Sequence, residues 1–123
     1  MEYRALGKTD LSVSVLGQGG AAFGQQYGAV SPEEVAACVR GAIDAGINLF
    51  DVAAYYGKGV AEDYLGRALA GGLREKVCIC TKACRLDRDV FDFTPEGTRT
   101  CFEASLKRLR TDHVDILLAH DIE

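Results

Sequence analysis

Short apolar runs alternate along the chain with segments that begin as helices, and this alternation constrains the fold more than any other feature. A capping residue followed by proline marks helix starts at 31–32 and 94–95, and apolar residues at helical spacing predict another helix over about 60–70. The apolar runs have the length of buried strands and lie at 47–51, 76–82 and 113–120. The order predicts βαβ units, whose crossovers are right-handed.

The amino-terminal segment predicts a hairpin and then a glycine-rich loop. Residues 3–6 and 11–13 flank a turn at 7–10, and an apolar pair at 15–16 predicts a short strand that runs into glycines over 17–24. Glycine allows the backbone to approach a ligand closely. No helix opens directly from these glycines, so the stretch is not a dinucleotide fingerprint and indicates cofactor binding only weakly.

Composition limits the classes of protein to which the chain can belong. With 123 residues it forms one domain, and its net charge of −4 argues against partners such as nucleic acid or an anionic membrane surface. No window is apolar enough for a membrane span and no export signal precedes the first strand, so we expect a cytoplasmic protein. Five cysteines, an odd number, then predict reduced thiols.

Three of the cysteines, Cys78, Cys80 and Cys84, crowd around one predicted strand. Their spacing lacks the paired knuckles of a zinc site. Small buried residues suit that strand, so we expect core thiols and no metal site. The segment that follows, 85–93, is predicted to be a polar loop.

Charged or polar residues interrupt the apolar pattern at one end of successive strands. Asp51, Lys82 and His120 each end a predicted strand, and Tyr56 follows Asp51 by five residues. Taken singly, each has an ordinary interpretation: a turn cap, a solvated lysine, a core histidine, a packed tyrosine. The carboxyl ends of parallel strands meet at one edge of a sheet, where α/β folds place their sites, so together the four predict a functional site.

These four side chains suit acid–base chemistry on a carbonyl or alcohol. Free tyrosine, with a pKa of about 10, exchanges protons poorly at neutral pH, and a nearby cation such as Lys82 favours its ionised form. Asp51 would keep that lysine charged, and His120 would donate to a substrate oxygen. Tyr56 would pass the proton while a nicotinamide carries the hydride.

The motifs that carry this chemistry resemble those of the aldo-keto reductase family. The stretch 50–59, with Glu62 and 65–66, is similar to the family's signature, and Thr81-Lys82 and 105–120 match its next two landmarks. The resemblance implies an α/β fold, a (β/α)8 TIM barrel, and the catalytic set Asp51, Tyr56, Lys82 and His120. It also implies that Gly19, Gly20 and Asp51 lie near the nicotinamide of NAD or NADP. Val52 departs from the threonine or serine common in the family.

Within the family, two segments most resemble the branch of L-galactose dehydrogenase and aldose 1-dehydrogenase. They are Phe91-Asp92-Phe93 and the final 120–123. Members of that branch oxidise a sugar at C1 to a lactone, which implies a small carbonyl compound or sugar as substrate.

The length of the chain bears on what it does alone. A complete barrel takes about 250 residues, so residues 1–123 are expected to form the amino-terminal half, ending after the fourth barrel strand. We expect the isolated chain to turn over poorly, because the segments that grip the cofactor phosphates and select NAD or NADP fall outside it.

Three other readings remain open at this stage. The chain can be a non-enzymatic remnant or scaffold with the reductase fold, or it can associate with itself or with a carboxyl-terminal half. A phosphate-binding barrel of unrelated chemistry would explain the glycines, but it would not explain Tyr56 beside Lys82.

Overall fold

The computed structural model describes residues 1–122 and contains eight strands and three α-helices within them. In chain order the elements are β1 (Tyr3–Ala5), β2 (Ser12–Ser14), β3 (Gln18–Gly19), α1 (Pro32–Asp44), β4 (Leu49–Asp51), α2 (Val60–Ala68), β5 (Cys78–Ala83), β6 (Arg85–Asp87), β7 (Val90–Phe91), α3 (Pro95–Leu109) and β8 (Ile116–Ala119). Short 3-10 turns lie at Ala22–Gly24 and Arg74–Lys76.

The helices begin where the sequence predicts. Ser31 accepts a hydrogen bond from the Glu34 amide while the Glu34 side chain accepts one from the Ser31 amide, which completes a capping box at α1. Thr94 caps α3 by accepting from the Gly97 amide. After α1, Gly46 adopts a positive φ of 87°, which a side chain would disfavour.

Four parallel strands form the main sheet in the order β3, β4, β5, β8. The helices that connect them pack on one face of this sheet. The core between helices and sheet holds fully buried apolar side chains, among them Val35, Val39, Phe50, Leu65 and Ile79. This arrangement confirms the predicted α/β class, with a parallel sheet built from consecutive βα units.

The hairpin of β1 and β2 is tied to the amino-terminal side of β4. The Asn48 side-chain oxygen accepts a hydrogen bond from the Ser14 backbone amide at 2.7 Å, and the Asn48 backbone amide donates to the Ser14 hydroxyl at 3.0 Å. The Tyr3 hydroxyl donates to the Gly46 carbonyl at 2.7 Å. The hairpin therefore lies at the end of the sheet opposite to the strand-end charges, which leaves the carboxyl edge free of it.

The structure differs from the sequence-based expectations in three local features. The first strand of the main sheet is Gln18–Gly19, and the apolar pair Val15 and Leu16 lies before it in an exposed bend. Residues 85–93 are not a plain loop: β6 and β7 pair as a small antiparallel hairpin. The last strand is Ile116–Ala119, shorter than the predicted 113–120; just before it the Asp115 amide donates to the Ile79 carbonyl at 3.1 Å and the Asp115 carboxylate accepts from Arg74 at 2.9 Å.

No helix in the described part of the chain has both the length and the apolar character needed to cross a membrane. The last strand, β8, leaves Leu117 and Leu118 more than two fifths exposed. These are the largest apolar side chains that the sheet itself leaves uncovered within residues 1–122.

Candidate active site

The carboxyl ends of β4, β5 and β8 bring three of the predicted site residues to one edge of the sheet. Asp51 is the last residue of β4, Lys82 is the last but one of β5, and His120 directly follows β8. The His120 amide donates to the Ala83 carbonyl at 3.0 Å, which extends the β5–β8 pairing to the histidine. The sequence-based prediction that these side chains converge is therefore met by the sheet register.

Lys82 is at the centre of the cluster. Its Nζ lies 2.5 Å from Asp51 Oδ1, 2.9 Å from the Val52 carbonyl oxygen and 3.3 Å from the Tyr56 hydroxyl. Burial is the largest single influence on the ammonium and favours the neutral amine. The hydrogen bond and charge of Asp51, helped by Tyr56, outweigh it and raise the pKa of Lys82 above its ordinary value. Lys82 is therefore a charged neighbour of the phenol at neutral pH.

Two glycines fix the backbone that carries Tyr56. A Cβ on Gly24 would lie 2.5 Å from the Tyr56 carbonyl carbon, and a Cβ on Gly57 would lie 2.5 Å from the Gly24 carbonyl oxygen. Gly57 also has a positive φ of 63°. The 3-10 turn at 22–24 therefore packs directly on the Tyr56–Gly57 backbone. In the sequence, Gly24 belongs to the stretch assigned to ligand approach and Gly57 only to the stretch that resembles the family signature, so this packing role was not predicted for either.

The two glycines predicted to lie near the cofactor differ in their surroundings. The Gly20 amide donates to the Asp51 carbonyl at 2.7 Å, and a Cβ on Gly20 would lie 2.5 Å from Val52 Cγ1. Close packing against Val52 is therefore enough to explain a glycine at position 20. Gly19 pairs in register with Asp51 and has nothing within 4 Å of a Cβ position. This bare backbone beside Asp51 fits the approach of a flat ring such as a nicotinamide.

His120 is 9% exposed and packs edge-on against two tyrosine rings. The centroids of Tyr55 and Tyr56 each lie 5.9 Å from that of the imidazole, at interplanar angles of 73° and 86°. Burial lowers the pKa of His120, and the positive charges of Lys82 and Arg85 act in the same direction against the opposing pull of the nearby carboxylates. The imidazole is therefore neutral at pH 7.

The ring nitrogens of His120 have no hydrogen-bond partner in the described part of the chain. Its Nδ1 is buried with none, and its Nε2 lies 3.8 Å from Asp121 Oδ2, beyond hydrogen-bond distance. Buried polar atoms are normally paired. The enclosed Nδ1 is an exception to this rule, and the side chain as a whole keeps 11% of its surface exposed at this edge.

A buried carboxylate on α2, Glu62, stabilises β5, although the sequence analysis assigned it no role in the site. Glu62 is fully buried; its Oε1 accepts a 2.5 Å hydrogen bond from Thr81, and its Oε2 accepts one at 2.7 Å from Arg108 Nε. Thr81 immediately precedes Lys82. The network thus fixes the strand that presents the lysine. The signal in the sequence that could have indicated this role is the place of Glu62 in the stretch that resembles the family signature.

One of the five cysteines, Cys80, lies next to Asp51. Burial, with the neighbouring Asp51, raises the pKa of Cys80 to about 12, so this thiol is unreactive at neutral pH. Among residues 1–122, no group of three histidine, cysteine or acidic residues is arranged to hold a metal ion.

The two largest cavities of the described chain do not coincide with the cluster. One of about 540 Å³ lies against the end of α3, beside Leu106 and Thr111, and one of about 490 Å³ lies between the β6–β7 hairpin and α3, beside Leu86 and Cys101. None of the four predicted catalytic residues lines either of them. The candidate site is therefore defined by the side-chain geometry at the sheet edge and not by a large cavity.

Comparison with known proteins identifies the family. Residues 15–123 match the model of the aldo/keto reductase family. The chain is 42% identical to L-galactose dehydrogenase of Arabidopsis thaliana, with 100% of this chain and 39% of the relative covered. It is 34% identical to D-threo-aldose 1-dehydrogenase of a Pseudomonas species, with 92% and 41% covered.

A solved structure gives the same result for the fold. The chain superposes on a structure from Pseudomonas aeruginosa, assigned to the aldo-keto reductases, with a TM-score of 0.88 and 41% identity, covering 98% of this chain and 46% of that one. The chain thus spans about two fifths of the length of the curated relatives it matches. Its four parallel strands correspond to part of a TIM barrel, and the chain belongs to the aldo/keto reductase family.

Proposed function

We propose that this chain supplies the catalytic side chains of an NAD(P)-dependent oxidoreductase that transfers hydride between a nicotinamide and a carbonyl or alcohol carbon. One observation carries the proposal: Lys82 Nζ lies between the Asp51 carboxylate, at 2.5 Å, and the Tyr56 hydroxyl, at 3.3 Å. An ammonium held charged by a carboxylate stabilises a phenolate, which is what a tyrosine acid–base catalyst requires. Because the chain spans about two fifths of its relatives, we propose this activity for the whole protein.

The roles of the four residues follow from their positions. Tyr56 gives a proton to the substrate oxygen during reduction and takes it back during oxidation. Lys82 stabilises the phenolate that remains, and Asp51 keeps Lys82 charged and in place. The His120 ring is neutral, and its nitrogens have no hydrogen-bond partner within residues 1–122; it donates to the same substrate oxygen and orients it.

The cofactor we propose is NAD or NADP, as members of the family use a nicotinamide. The nicotinamide, when bound, supplies or accepts the hydride. Gly19, Gly20 and Asp51 form the backbone and side-chain surface that would lie along it, and Gly19 has the open space for it.

As substrate we propose a sugar oxidised at C1 to a lactone, or a small aldehyde or ketone in the reverse direction. The support is the similarity to two enzymes named as sugar dehydrogenases, one of L-galactose and one of D-threo-aldoses.

A second candidate function is a non-catalytic one, in which the chain is a fragment or scaffold with the reductase fold. The exposure of Leu117 and Leu118 on β8 favours association with another polypeptide. That polypeptide would be a second copy of the chain or a carboxyl-terminal half. Sedimentation of the purified chain, alone and mixed with such a half, distinguishes a monomer from either assembly.

A phosphate-binding barrel of unrelated chemistry is less well supported. Its motivation was the glycine-rich stretch, and Gly20 and Gly24 have packing reasons that need no ligand. It also gives no reason for the contact between Tyr56 and Lys82.

We also propose a cytoplasmic location. All five cysteines are free thiols, and Cys80, Cys84 and Cys101 are buried, which suits a reducing compartment. Fractionation of cells carrying the tagged protein would test this, and recovery in an exported fraction would contradict it.

The experiment that tests the proposed enzyme is a titration of NADH and NADPH against the purified chain, with and without a supplied carboxyl-terminal half, followed by assays of aldose oxidation. We expect the fluorescence of NADH or NADPH to change on binding and, when NAD⁺ or NADP⁺ is supplied as the hydride acceptor, lactone and reduced cofactor to form in the complemented sample, with little turnover by the chain alone. Robust turnover by a monodisperse monomer would overturn the view that the chain needs a complement. Absence of nicotinamide binding in both samples would favour the scaffold.

A further inference from the structure

We propose that Arg108 is a positioning residue of the candidate site and that it sets the separation between the Tyr56 hydroxyl and Lys82 Nζ. It does so by holding the two segments that carry these atoms. The inference rests on the proposed function, since it concerns the acid–base pair of that same site. It extends the site from the sheet edge into the helical layer, to a residue of α3 that is not among the four proposed catalytic residues.

One set of contacts runs from Arg108 to the strand that carries Lys82. Arg108 Nε donates to Glu62 Oε2 at 2.7 Å, and Glu62 Oε1 accepts from the Thr81 hydroxyl at 2.5 Å. Glu62 and Thr81 are fully buried, so water does not reach either of them. A buried polar network whose members are all paired is rigid. Because Thr81 immediately precedes Lys82, the guanidinium fixes β5 at the position of the lysine.

A second contact runs from Arg108 to the segment that carries Tyr56. A Cβ on Gly59 would lie 2.5 Å from Arg108 Cδ, so the arginine side chain packs directly on the backbone at Gly59. Gly59 lies three residues after Tyr56 and directly before α2, whose first turn is tied back by the Ala61 amide, which donates to the Tyr56 carbonyl at 3.2 Å. Movement of the arginine side chain therefore moves the backbone that presents the phenol.

Arg108 is itself anchored within the helical layer. Its Nη2 donates to the Ser105 hydroxyl at 3.2 Å, and that hydroxyl donates to the Cys101 carbonyl at 3.2 Å. A Cβ on Gly66 would lie 2.5 Å from the Arg108 carbonyl oxygen, so the backbones of α2 and α3 are in contact at this point. The side chain is therefore held at Nε, Nη2 and Cδ, and α3 has no room to move towards α2 beneath it.

The two sets of contacts lead to the two atoms of one hydrogen bond. The Tyr56 hydroxyl lies 3.3 Å from Lys82 Nζ, at the long end of hydrogen-bond distances. A further separation of a few tenths of an ångström would break this bond, so it depends on how accurately both segments are held. Arginine suits that task better than lysine, because its planar fork binds Glu62 and Ser105 at once, whereas an ammonium in its place would keep only the charge beside Glu62.

The test measures how strongly Tyr56 is coupled to Lys82 in the 123-residue chain, without nicotinamide or substrate. The Tyr56 hydroxyl helps to raise the pKa of Lys82, so Tyr56→Phe should lower that pKa in an NMR titration of the lysine ¹³Cε signals. In the Arg108→Lys background, the same substitution should lower it by about half as much or less. Arg99→Lys, which replaces an exposed arginine on the same helix, is the matched control and should leave the coupling unchanged.

A second measurement uses the protein complemented with its carboxyl-terminal half. Arg108→Lys should slow hydride transfer about 10-fold or more at unchanged nicotinamide affinity, because a misplacement of about 1 Å can cost about 10²-fold in rate. A purely structural role for Arg108 would instead lower the thermal midpoint and leave both the coupling and the rate of the folded protein as in the wild type.

Full coupling in a folded Arg108→Lys chain would overturn the inference, and so would an equal loss in Arg99→Lys or no effect of Tyr56→Phe in the wild type. Thermal melts identify a variant that fails to fold. In that case Ser105→Ala, which removes only the partner of Nη2, decides: a partial loss of coupling supports the inference and no loss contradicts it. Failure of the proposed function gives a different result, since the coupling would still depend on Arg108 while hydride transfer is absent with every substrate.

Discussion

Lys82 Nζ lies 2.5 Å from Asp51 Oδ1, and this contact joins the carboxyl ends of two neighbouring strands. Two effects oppose each other at Lys82: burial lowers the pKa of the ammonium, and the Asp51 carboxylate raises it. The carboxylate prevails, and the phenol of Tyr56 lies next to the resulting cation.

Replacing Asp51 by asparagine should reverse that balance. The amide keeps a hydrogen-bond acceptor and removes the charge, so burial should lower the pKa of Lys82 below the ordinary lysine value of about 10.4. The measurement is an NMR titration of the lysine ¹³Cε signals, with Lys82 assigned from Lys82→Arg. Asp44→Asn, at an exposed position on α1, is the matched control. An unchanged or higher Lys82 pKa in Asp51→Asn would contradict the account.

Replacing Glu62 by alanine should destabilise the fold through the network behind β5. The change leaves Thr81 without its 2.5 Å acceptor and Arg108 without its buried partner. Removing one member of a buried pair costs about 3–5 kcal/mol, and we expect about 2–3 kcal/mol here because the Arg108 side chain keeps some exposure to water.

Urea denaturation measures this loss. Glu103→Ala on the exposed face of α3 is the control and should change the free energy of unfolding by less than about 0.5 kcal/mol. Equal effects of the two substitutions would show that the Glu62 network contributes nothing to stability.

Replacing Gly24 by alanine should displace the backbone that carries Tyr56. The new Cβ would meet the Tyr56 carbonyl carbon at 2.5 Å, and backbone cannot give way as a flexible side chain does. Overpacking of this kind costs about 1–3 kcal/mol. Gly41→Ala is the matched control: Gly41 lies within α1 with nothing near its Cβ position, so alanine there should stabilise by about 0.5–1 kcal/mol. The two thermal midpoints should move in opposite directions, and a rise for Gly24→Ala would refute the packing role.

His120 should titrate below the ordinary histidine value of about 6.5. Because its pKa is lowered in the folded state, the neutral ring contributes stability that is present above about pH 6.5 and is lost as the pH falls through that region. An NMR titration of the imidazole signals, with His113→Gln to assign them, gives the midpoint. Urea denaturation at pH 7 and pH 5 should show a greater loss for the wild type than for His120→Gln. A His120 midpoint above 6.5 would reverse the sign and contradict the prediction.

Most of the architecture could be predicted from local signals in the sequence. Caps and prolines fix the starts of α1 and α3, and apolar runs that break at Asp51, Lys82 and His120 fix the edge where the site lies. These signals involve residues close together in the sequence, so they can be recognised without knowledge of tertiary contacts. The convergence of the three side chains then follows from the parallel order of the strands.

What could not be predicted depends on contacts distant in the sequence. Gly24 is 32 positions from the Tyr56 backbone that it packs against, and nothing in its own stretch indicates that partner. Arg85 and Asp121 meet because β6 turns back over Tyr55, in a segment whose polar composition predicted only a loop. Patterns of polar and apolar residues identify helices and strands, but they do not identify which side chains these elements bring into contact.

The most direct measurement of the central claim compares hydride transfer by the complemented protein with that of its Tyr56→Phe and Tyr27→Phe variants. Tyr27 is 80% exposed and is not one of the four proposed catalytic residues, so removal of its hydroxyl should leave the rate unchanged. General acid–base catalysis contributes about 10²–10⁴ in rate, and we expect Tyr56→Phe to lose that factor while it still binds nicotinamide. Equal rates for the wild type and Tyr56→Phe would contradict the assignment of Tyr56 as the proton donor.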